Sequence, residues 1–417
     1  MNHRKAMFRF LFPSLFLGLF LLQGCASLEP TVRKQTDQLS TASVAVVNSA
    51  CIQDNRAVQD YFGLIDKIKK EQPELVRILT KFPKGADLHN HLSGTVMPED
   101  YIALGSTDGD CFGVDPVVPA MYTITQATTP GVCASGFKPL MQASAEERQQ
   151  LNNENVSYVE TMISFQSAAV SSLADLLRQK YPDAAAYTQS SNYPAMFDYL
   201  LGAGLKNAVF AAQEDVDNYV NAVNAILKCG TAAPDTACEV SFYFQAAVNR
   251  NAALKDGSAD LPKKFTQTAL SCLLADTEKS VVGVNLLSGE DSPVSMQSFN
   301  TQMQFFSYFH NRFPRMNIAL HGGEITPCFV GTGNPALKEH ITGSIQAGAK
   351  RVGHAVSFTY LNDADKAEVT TLMKRNNTLV EIPFTSNAQI LGIAGEEHPF
   401  VQYFRKYGVP AAFSTDD

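Results

Sequence analysis

From about residue 83 onward, short apolar runs rich in β-branched and aromatic residues alternate with longer amphipathic segments. Eight runs predict β-strands: ADLHNHL (86–92), VSYVETMI (156–163), EVSFYFQAA (239–247), VVGVNLL (281–287), NIALHGG (317–323), RVGHAVSF (351–358), TLVEIPFT (378–385) and VPAAFST (409–415). Helical patterns such as 263–279, 296–313 and 363–375 lie between most of them. Eight strands separated by helices predict an α/β fold of the (β/α)8 TIM-barrel type. A doubly wound sheet is the alternative, but it usually has fewer strands.

The segments outside this pattern divide the rest of the chain. Residues 26–75 are polar and helix-prone, so 25–82 is predicted to be a tether and an N-terminal helical arm before a barrel at 83–417. The stretch of about 95–140 contains several Pro and Gly residues and predicts an insertion after the first strand. The chain ends at Asp417, so the helix that would normally follow the eighth strand is expected to be missing.

The first 24 residues have the pattern of a secretory signal. Arg4, Lys5 and Arg9 precede an apolar core that is too short to span a bilayer comfortably. The sequence LQGC, which ends at Cys25, resembles a bacterial lipobox, in which Cys25 is lipidated and becomes the mature N-terminus. Because Ala26 follows, the resemblance implies a lipid-anchored, exported protein of the outer membrane. An ordinary cleaved signal with a coincidental cysteine is the alternative.

Composition limits the classes of partner. The chain has 417 residues, of which 45% are hydrophobic, so it can bury a large core. Charged residues make up 18% of the chain, and its formal net charge is −8. Because no long basic run appears, a nucleic-acid partner is not expected, and the only expected membrane contact is the N-terminal lipid anchor.

Export would permit disulfide bonds. Cys229 and Cys238 flank the turn-rich sequence GTAAPDTA, and Cys111 and Cys133 flank another irregular segment. Both pairs are predicted disulfides, although other pairings stay open because connectivity does not follow from sequence. The chain has no C-x-x-C motif, so a cysteine-based zinc site is not indicated.

Half of the eight histidines fall at the carboxyl ends of predicted strands, where barrels place their active residues. His89 and His91 end the first strand two residues apart, so they share a face and are expected to point into the barrel mouth. An H-x-H pair alone is weak support for a metal, but His321, His354 and Asp416 also fall at strand ends. Three imidazoles and one carboxylate suit Zn²⁺, which lowers the pKa of a bound water to about 7.

These residues lie in motifs that resemble those of a known family. The chain resembles the metal-dependent adenosine deaminases of the amidohydrolase superfamily, and it is most similar to the secreted branch related to adenosine deaminase growth factors. The motifs, in chain order, are PKGADLHNHLSG, NVSYVETMIS, VVGVNLLSGED, HGGE, RVGHAV, VEIPFTSN and HPFVQYFRKYGVPAAFSTDD. The resemblance spans 83–417 and implies a TIM barrel that acts on a small purine nucleoside; the secreted branch also suggests a homodimer.

The resemblance implies a role for each matching residue. The residues that would hold one zinc ion per chain are His89, His91, His321 and Asp416. Glu324 would donate a proton to the purine N1, and His354 would orient the attacking oxygen. Asp417 would bond the purine N7, the backbone of Ser288 would meet N3, and Glu290 would contact the ribose or a loop. The alternatives are an ion-paired surface carboxylate for Glu324 and a core histidine bonded to a backbone carbonyl for His354.

The sequence also departs from the family pattern. Asn285 and Ser288 replace an aspartate and a glycine, and the Ser288 side chain takes room near the expected base. Pro383 and Phe384 replace a Cys-Pro pair.

The function implied by the resemblance is zinc-dependent hydrolytic deamination of adenosine or 2′-deoxyadenosine to the inosine product and ammonia. A related amidohydrolase acting on adenine, AMP or a modified adenosine is the enzymatic alternative, and a non-catalytic nucleoside-binding or signalling barrel is the alternative from another class. A cytidine-type zinc deaminase is disfavoured, because its P-C-x-x-C element is absent from the sequence.

Overall fold

The computed structural model separates the chain into two units, Met1–Phe82 and Pro83–Asp417. The residues it describes are 72–91, 111–114, 122–125, 138–394, 397–400 and 402–416. The first unit contributes one described helix, α1 (Gln72–Lys81), which lies in the predicted N-terminal arm. The predicted signal and the lipidation site Cys25 lie outside the described residues.

The second unit is built around parallel strands. The described strands are β1 (Gly85–His91), β2 (Cys111–Val114), β3 (Tyr122–Thr125), β4 (Val156–Ile163), β5 (Ser241–Asn249), β6 (Val281–Leu287), β7 (Ala319–Gly322), β8 (Arg351–His354), β9 (Leu379–Ile382) and β10 (Ala411–Phe413). Parallel pairing orders one set as β1-β4-β5-β6 and a second set as β10-β9-β8-β7. Strands β2 and β3 form a separate antiparallel pair within the predicted insertion.

Two isolated parallel bridges join the sets into a ring. Val284 of β6 bridges Ile318, just before β7, and Asn90 of β1 bridges Asp416, just after β10. The closed order is therefore β1-β4-β5-β6-β7-β8-β9-β10. The predicted α/β fold with a (β/α)8 barrel is confirmed.

Helices surround the ring and follow most of its strands. The described α-helices of this unit are α2 (Lys138–Asn153), α3 (Ser167–Lys180), α4 (Tyr193–Ala203), α5 (Leu205–Ile226), α6 (Leu261–Thr277), α7 (Pro293–Arg312), α8 (Pro327–Val330), α9 (Ala336–Gln346), α10 (Asp363–Asn376) and α11 (Phe384–Leu391). Among the helices that the structure describes, none combines the length and apolar content that crossing a membrane requires.

Most strand boundaries lie within two residues of the prediction, and β4 and β6 match it at both ends. The prediction of a strand over 351–358 was wrong in its second half. Strand β8 ends at His354 because the φ angles of His354 and Ala355 are 65° and 48°, in the left-handed region that interrupts a strand. A short 3₁₀ helix, Val356–Tyr360, follows. The strand predicted over 378–385 likewise stops at Ile382, and α11 begins two residues later.

Aromatic packing holds the outer helices together. Tyr193 of α4, Phe265 of α6, and Phe305 and Phe309 of α7 are buried. The Phe265 ring centroid lies 5.5 Å from that of Tyr193, 5.1 Å from that of Phe305 and 5.4 Å from that of Phe309. Burying each such side chain stabilises the fold by about 1.5–3 kcal/mol. This cluster packs α6 against α7, the helices that follow β5 and β6 in the chain.

One of the two predicted cysteine pairs forms a disulfide. Cys229 and Cys238 are bonded and close the loop between α5 and β5. Cys111 begins β2, but Cys133 lies outside the described residues, so the second pair stays a prediction.

A buried carboxyl group lies on the inner face of α2. Glu147 is 1% exposed, and neither of its oxygens has a hydrogen-bond partner in the described part of the chain. Burial, together with the nearby carboxylate of Asp87, raises the pKa of Glu147 from 4.5 to about 8. The folded state therefore binds this proton more tightly than the unfolded state does, and stability falls as pH rises between these two values.

We expect the Glu147→Gln variant to escape this loss, because its amide stays neutral. As pH rises from 5 to 8, its free energy of unfolding should increase relative to that of the wild type by up to about 1.4 kcal/mol per pH unit. Urea denaturation at several pH values measures the difference, with the exposed Glu214→Gln on α5 as the matched control. Parallel pH profiles for wild type and Glu147→Gln would contradict the prediction.

Candidate metal centre and active site

Residues from the first, fifth and last strands of the barrel converge at its carboxyl-terminal rim. His89 and His91 lie at the end of β1, His321 lies on β7 and Asp416 follows β10. Each offers one ligand atom, and these atoms all lie within 4.8 Å of one another. The predicted ligands are thus brought together, although their role as metal ligands stays a prediction.

The separations within this cluster fit a tetrahedral ion. The Nε2 atoms of His91 and His321 are 3.2 Å apart. Oδ1 of Asp416 lies 3.1 Å from Nε2 of His91 and 3.5 Å from Nε2 of His89. Four ligands placed about 2.0–2.1 Å from Zn²⁺ at the corners of a tetrahedron would be about 3.3 Å apart. The donor set and its spacing therefore fit such an ion.

His89 is held so that one ring nitrogen faces the cluster. Its Nδ1 lies 2.9 Å from Oε2 of Glu381, and because a carboxylate only accepts, Nδ1 is the donor. Its buried Nε2 has no hydrogen-bond partner among the described residues. Gly353 makes room for the ring, since a Cβ atom at this position would lie 2.5 Å from Cε1 of His89. A fully buried ring nitrogen that has no hydrogen-bond partner and faces three other potential ligand atoms is suited to bind a cation.

His321 is oriented by a neutral amide rather than by a carboxylate. Oδ1 of Asn285 lies 2.9 Å from its Nδ1, so Nε2 is left for the cluster. The Asn285 amide nitrogen donates to Oε1 of Gln245 at 2.8 Å. Gln245 in turn donates to Oε2 of Glu160 at 2.9 Å. Asn285, noted above as a departure from the family pattern, therefore still fixes the His321 tautomer.

The polar chain from His321 continues around the barrel to His89. Glu160 pairs with the Arg351 guanidinium, whose Nε lies 3.0 Å from Oε1 of Glu381. Glu381 holds His89, as described above. The two carboxylates and the intervening guanidinium alternate in charge, which offsets much of the desolvation cost of burying them. Glu160, Arg351 and Glu381 form a charged belt that connects the hydrogen-bond partners of His321 and His89.

Glu324 and His354 lie together beside the cluster. The Nδ1 atom of His354 is 2.7 Å from Oδ1 of Asn387, and its Nε2 is 3.8 Å from Oε1 of Glu324 and 3.4 Å from Oδ2 of Asp416. The alternative of a histidine bonded to a backbone carbonyl therefore does not describe His354. Burial raises the pKa of Glu324, with smaller contributions from nearby carboxylates, while His354 opposes the shift. This environment favours a protonated carboxyl group.

The residues of the cluster have pKa values that are shifted in different directions. Burial alone would favour a neutral His89, but the carboxylates of Asp416 and Glu381 raise its pKa to about 10. Burial and the neighbouring imidazoles hold the pKa of His321 well below its usual range. Despite burial, the surrounding histidines lower the pKa of Asp416 below its ordinary value.

The predicted substrate contacts have different outcomes. Glu290 is 1% exposed, and both its oxygens accept backbone N–H groups of the turn after β7, so of its two expected contacts, with the ribose or with a loop, the structure shows the one with a loop. Ser288 lies at the end of β6 with a φ of 85°, a conformation that suits glycine better than serine. Asp417 lies outside the described residues. The contacts of Ser288 and Asp417 with a base stay predictions.

Several residues that shape the site were not predicted as site residues from the sequence. They are Glu160, Gln245, Arg250, Arg351, Glu381 and Asn387. A signal for three of them was available, because Glu160, Gln245 and Glu381 lie in the interior of mostly apolar strands. A polar side chain in a strand that is buried on both faces requires a partner, and such partners gather around sites.

We expect Gly353→Ala to weaken zinc binding by about 10- to 100-fold, because the added methyl group must displace the His89 ring. Competition with a chelator measures the affinity. Gly283→Ala on β6 is the matched control, since its Cβ would meet nothing closer than 3.4 Å. Equal affinities in the two variants would show that the position of His89 does not govern binding.

No family model matches the chain. It is 27% identical over 118 residues to an adenosine deaminase from Lactococcus lactis, and this match covers 28% of the chain and 30% of the relative.

Among solved structures, it is similar to an N6-methyl-AMP deaminase from Arabidopsis thaliana, with a TM-score of 0.46 and 17% identity over 81% of this chain and 82% of that one. An adenine deaminase from Arthrobacter aurescens gives 0.45 and 14% over 81% and 83%. An amidohydrolase from Burkholderia ambifaria with bound zinc gives 0.46 and 13% over 80% and 75%.

Proposed function

We propose that this chain is a zinc-dependent adenosine deaminase of the amidohydrolase superfamily that converts adenosine or 2′-deoxyadenosine to the inosine product and ammonia. The observation that carries the proposal is the placement of Glu324 beside a buried cluster of three imidazoles and one carboxylate. The partial match to a curated adenosine deaminase supports the same class of reaction.

The residues of the cluster would have different roles in the reaction. His89, His91, His321 and Asp416 would hold the cation, since imidazole nitrogen and carboxylate oxygen are both ligands that zinc takes. When bound, zinc supplies Lewis acidity that makes water a nucleophile near neutral pH. The buried Nε2 of His354, which has no hydrogen-bond partner among the described residues, would orient that water beside Asp416.

Glu324 supplies the proton that the reaction needs. The C6 atom of adenine is a poor electrophile, because the amino group it carries donates electron density into the aromatic ring. Protonation of N1 withdraws that density and prepares C6 for attack. Glu324 can do this because burial favours its protonated form, and it is 11% exposed, so it can meet a substrate entering from the mouth.

Base recognition would use the residues around this group. The backbone N–H of Ser288 is proposed to meet the purine N3, and Asp417 is proposed to bond N7. Adenine, AMP and a modified adenosine are the competing substrates, and a barrel that binds a nucleoside without turning it over is the competing class. The identity of the ion as zinc and that of the substrate as adenosine are both parts of this proposal.

We expect the Glu324→Gln variant to lose deaminase activity by about 100- to 10,000-fold, because an amide cannot deliver the proton. The change in adenosine absorbance, followed with full-length protein and Zn²⁺, measures the rate, and adenine and AMP are tested beside it. Wild-type activity should also decline as pH rises through the pKa of Glu324, since only the protonated carboxyl donates.

The exposed Glu339→Gln on α9 is the control for this variant and should retain wild-type activity. Equal inertness of wild type and Glu324→Gln toward all three purines, with zinc bound, would overturn the enzymatic proposal. Measurable binding of adenosine in that case would favour the non-catalytic barrel.

We also propose that the protein is exported and anchored by a lipid on Cys25, from the N-terminal sequence alone. A Cys25→Ala variant expressed in a Gram-negative host should then leave the membrane fraction for the soluble fraction or keep its signal sequence uncleaved. Radiolabelled palmitate incorporation measures the modification directly. Equal labelling of the variant and the wild type would contradict this proposal.

A further inference from the structure

A buried carboxylate lies beneath the turn that carries Glu324. The Gly323 N–H donates to Oε1 of Glu290 at 3.0 Å, and the Glu324 N–H donates to Oε2 at 2.7 Å. A single carboxylate therefore bridges two successive backbone amides. Because the carboxylate group is planar and rigid, it fixes the orientation of both peptide groups as well as their position.

Glu290 is itself held from two further sides. Nδ1 of His340 donates to its Oε1 at 2.6 Å, and the His340 ring stacks on Phe299 at 3.9 Å between centroids. Nη1 of Arg250 lies 3.5 Å from the same oxygen. Both Arg250 and Glu290 are fully buried, so neither can swing away into solvent.

Arg250 connects this carboxylate to the candidate metal centre. Its Nη2 donates to the carbonyl oxygen of His321 at 2.7 Å and to that of Leu286 at 3.0 Å. The backbone of a candidate ligand, His321, and the backbone of the candidate proton donor, Glu324, are therefore held by one ion pair. Glu290 and Arg250 therefore lie between these two groups.

The turn has little freedom on its other side. Gly323 has a φ of +84°, and a Cβ atom there would lie 2.6 Å from Oγ of Ser357 and 2.7 Å from a methylene carbon of Ile341. The Ser357 N–H also donates to the Gly323 carbonyl at 2.9 Å. Packing thus prevents the peptide from moving in that direction, and Glu290 restrains it on its N–H side.

We propose that Glu290 is a positioning residue that sets the reach of Glu324 toward the substrate through the backbone of the Gly323–Glu324 turn. This inference rests on the proposed deaminase function for its kinetic consequence, but its structural consequence does not depend on that function. Glu290 does not touch the substrate or the cation in this proposal. It differs from an ordinary buried ion pair because its loss moves a group that acts in the reaction.

The Glu290→Gln variant tests the proposal. The amide presents an NH₂ donor to one of the two backbone N–H groups, so one hydrogen bond is lost and the turn shifts. We expect kcat for adenosine to fall by about 10- to 100-fold, because displacement by about 1 Å is costly in an active site. KM should change by less than about twofold, and the zinc content should equal that of the wild type.

Asp260→Asn is the matched control. Asp260 is also a buried carboxylate paired with an arginine, since it accepts from Nη2 of Arg178 at 2.8 and 2.9 Å, and it caps the N-terminus of α6. Its loss should lower stability without lowering kcat. A second variant, His340→Phe, keeps the stacked ring on Phe299 but removes the hydrogen bond to Glu290. His340→Phe should also lower kcat, but by a smaller factor than Glu290→Gln. It replaces Glu290→Gln as the test if that variant does not fold.

Crystal structures of zinc-loaded wild type and variants separate this proposal from the proposed function. The Glu324 carboxylate should move by about 1 Å in Glu290→Gln and stay in place in Asp260→Asn, whether or not the wild type deaminates any purine. An unmoved Glu324, an unchanged kcat in an active protein, or loss of zinc from a folded Glu290→Gln would overturn the positioning role. Wild-type inertness with a displaced Glu324 in the variant would remove the deaminase assignment alone.

Discussion

The pairing of the first and last barrel strands is the constraint on which the rest of the site depends. Asn90 bridges Asp416 in parallel, the Asp416 N–H donates to the His89 carbonyl at 2.9 Å, and the His91 N–H donates to the Asp416 carbonyl at 3.3 Å. Parallel strands bring all their carboxyl ends to one rim. Closure of the ring therefore makes neighbours of imidazoles and a carboxylate that are more than 300 residues apart, and an open sheet would leave them on opposite edges.

Closure concentrates polar groups where little water can reach them, and the fold must satisfy each of them. The belt through Glu160, Arg351 and Glu381 does so by alternating charge, and Glu290 does so through Arg250 and His340. Burying a charge without a partner would cost several kcal/mol. Two buried ring nitrogens without a hydrogen-bond partner in the described structure, Nε2 of His89 and Nε2 of His354, lie beside Asp416 at the place where a cation fits.

Some of this arrangement was predictable from local patterns. The runs at 156–163 and 281–287 are mostly apolar without a regular polar face, as expected of buried parallel strands, and their boundaries matched. The strand predicted over 351–358 failed because positive φ angles at His354 and Ala355 are set by packing around the site and leave no trace in hydropathy. The sequence left Glu290 between a ribose and a loop contact for a similar reason: a carboxylate after a strand looks the same in sequence whether it faces the mouth or the interior.

The sequence by itself determined the succession of strands and helices and the positions of the histidines and carboxylates at strand ends, because both follow from periodicity and spacing over a few residues. Only the tertiary structure decided which ring nitrogen each histidine turns to the centre, that Asn285 and Glu381 hold those rings, and that Glu290 holds the turn of Glu324. These choices depend on hydrogen bonds between side chains tens to hundreds of residues apart. Such partners are set by barrel closure and strand register, which no local pattern encodes.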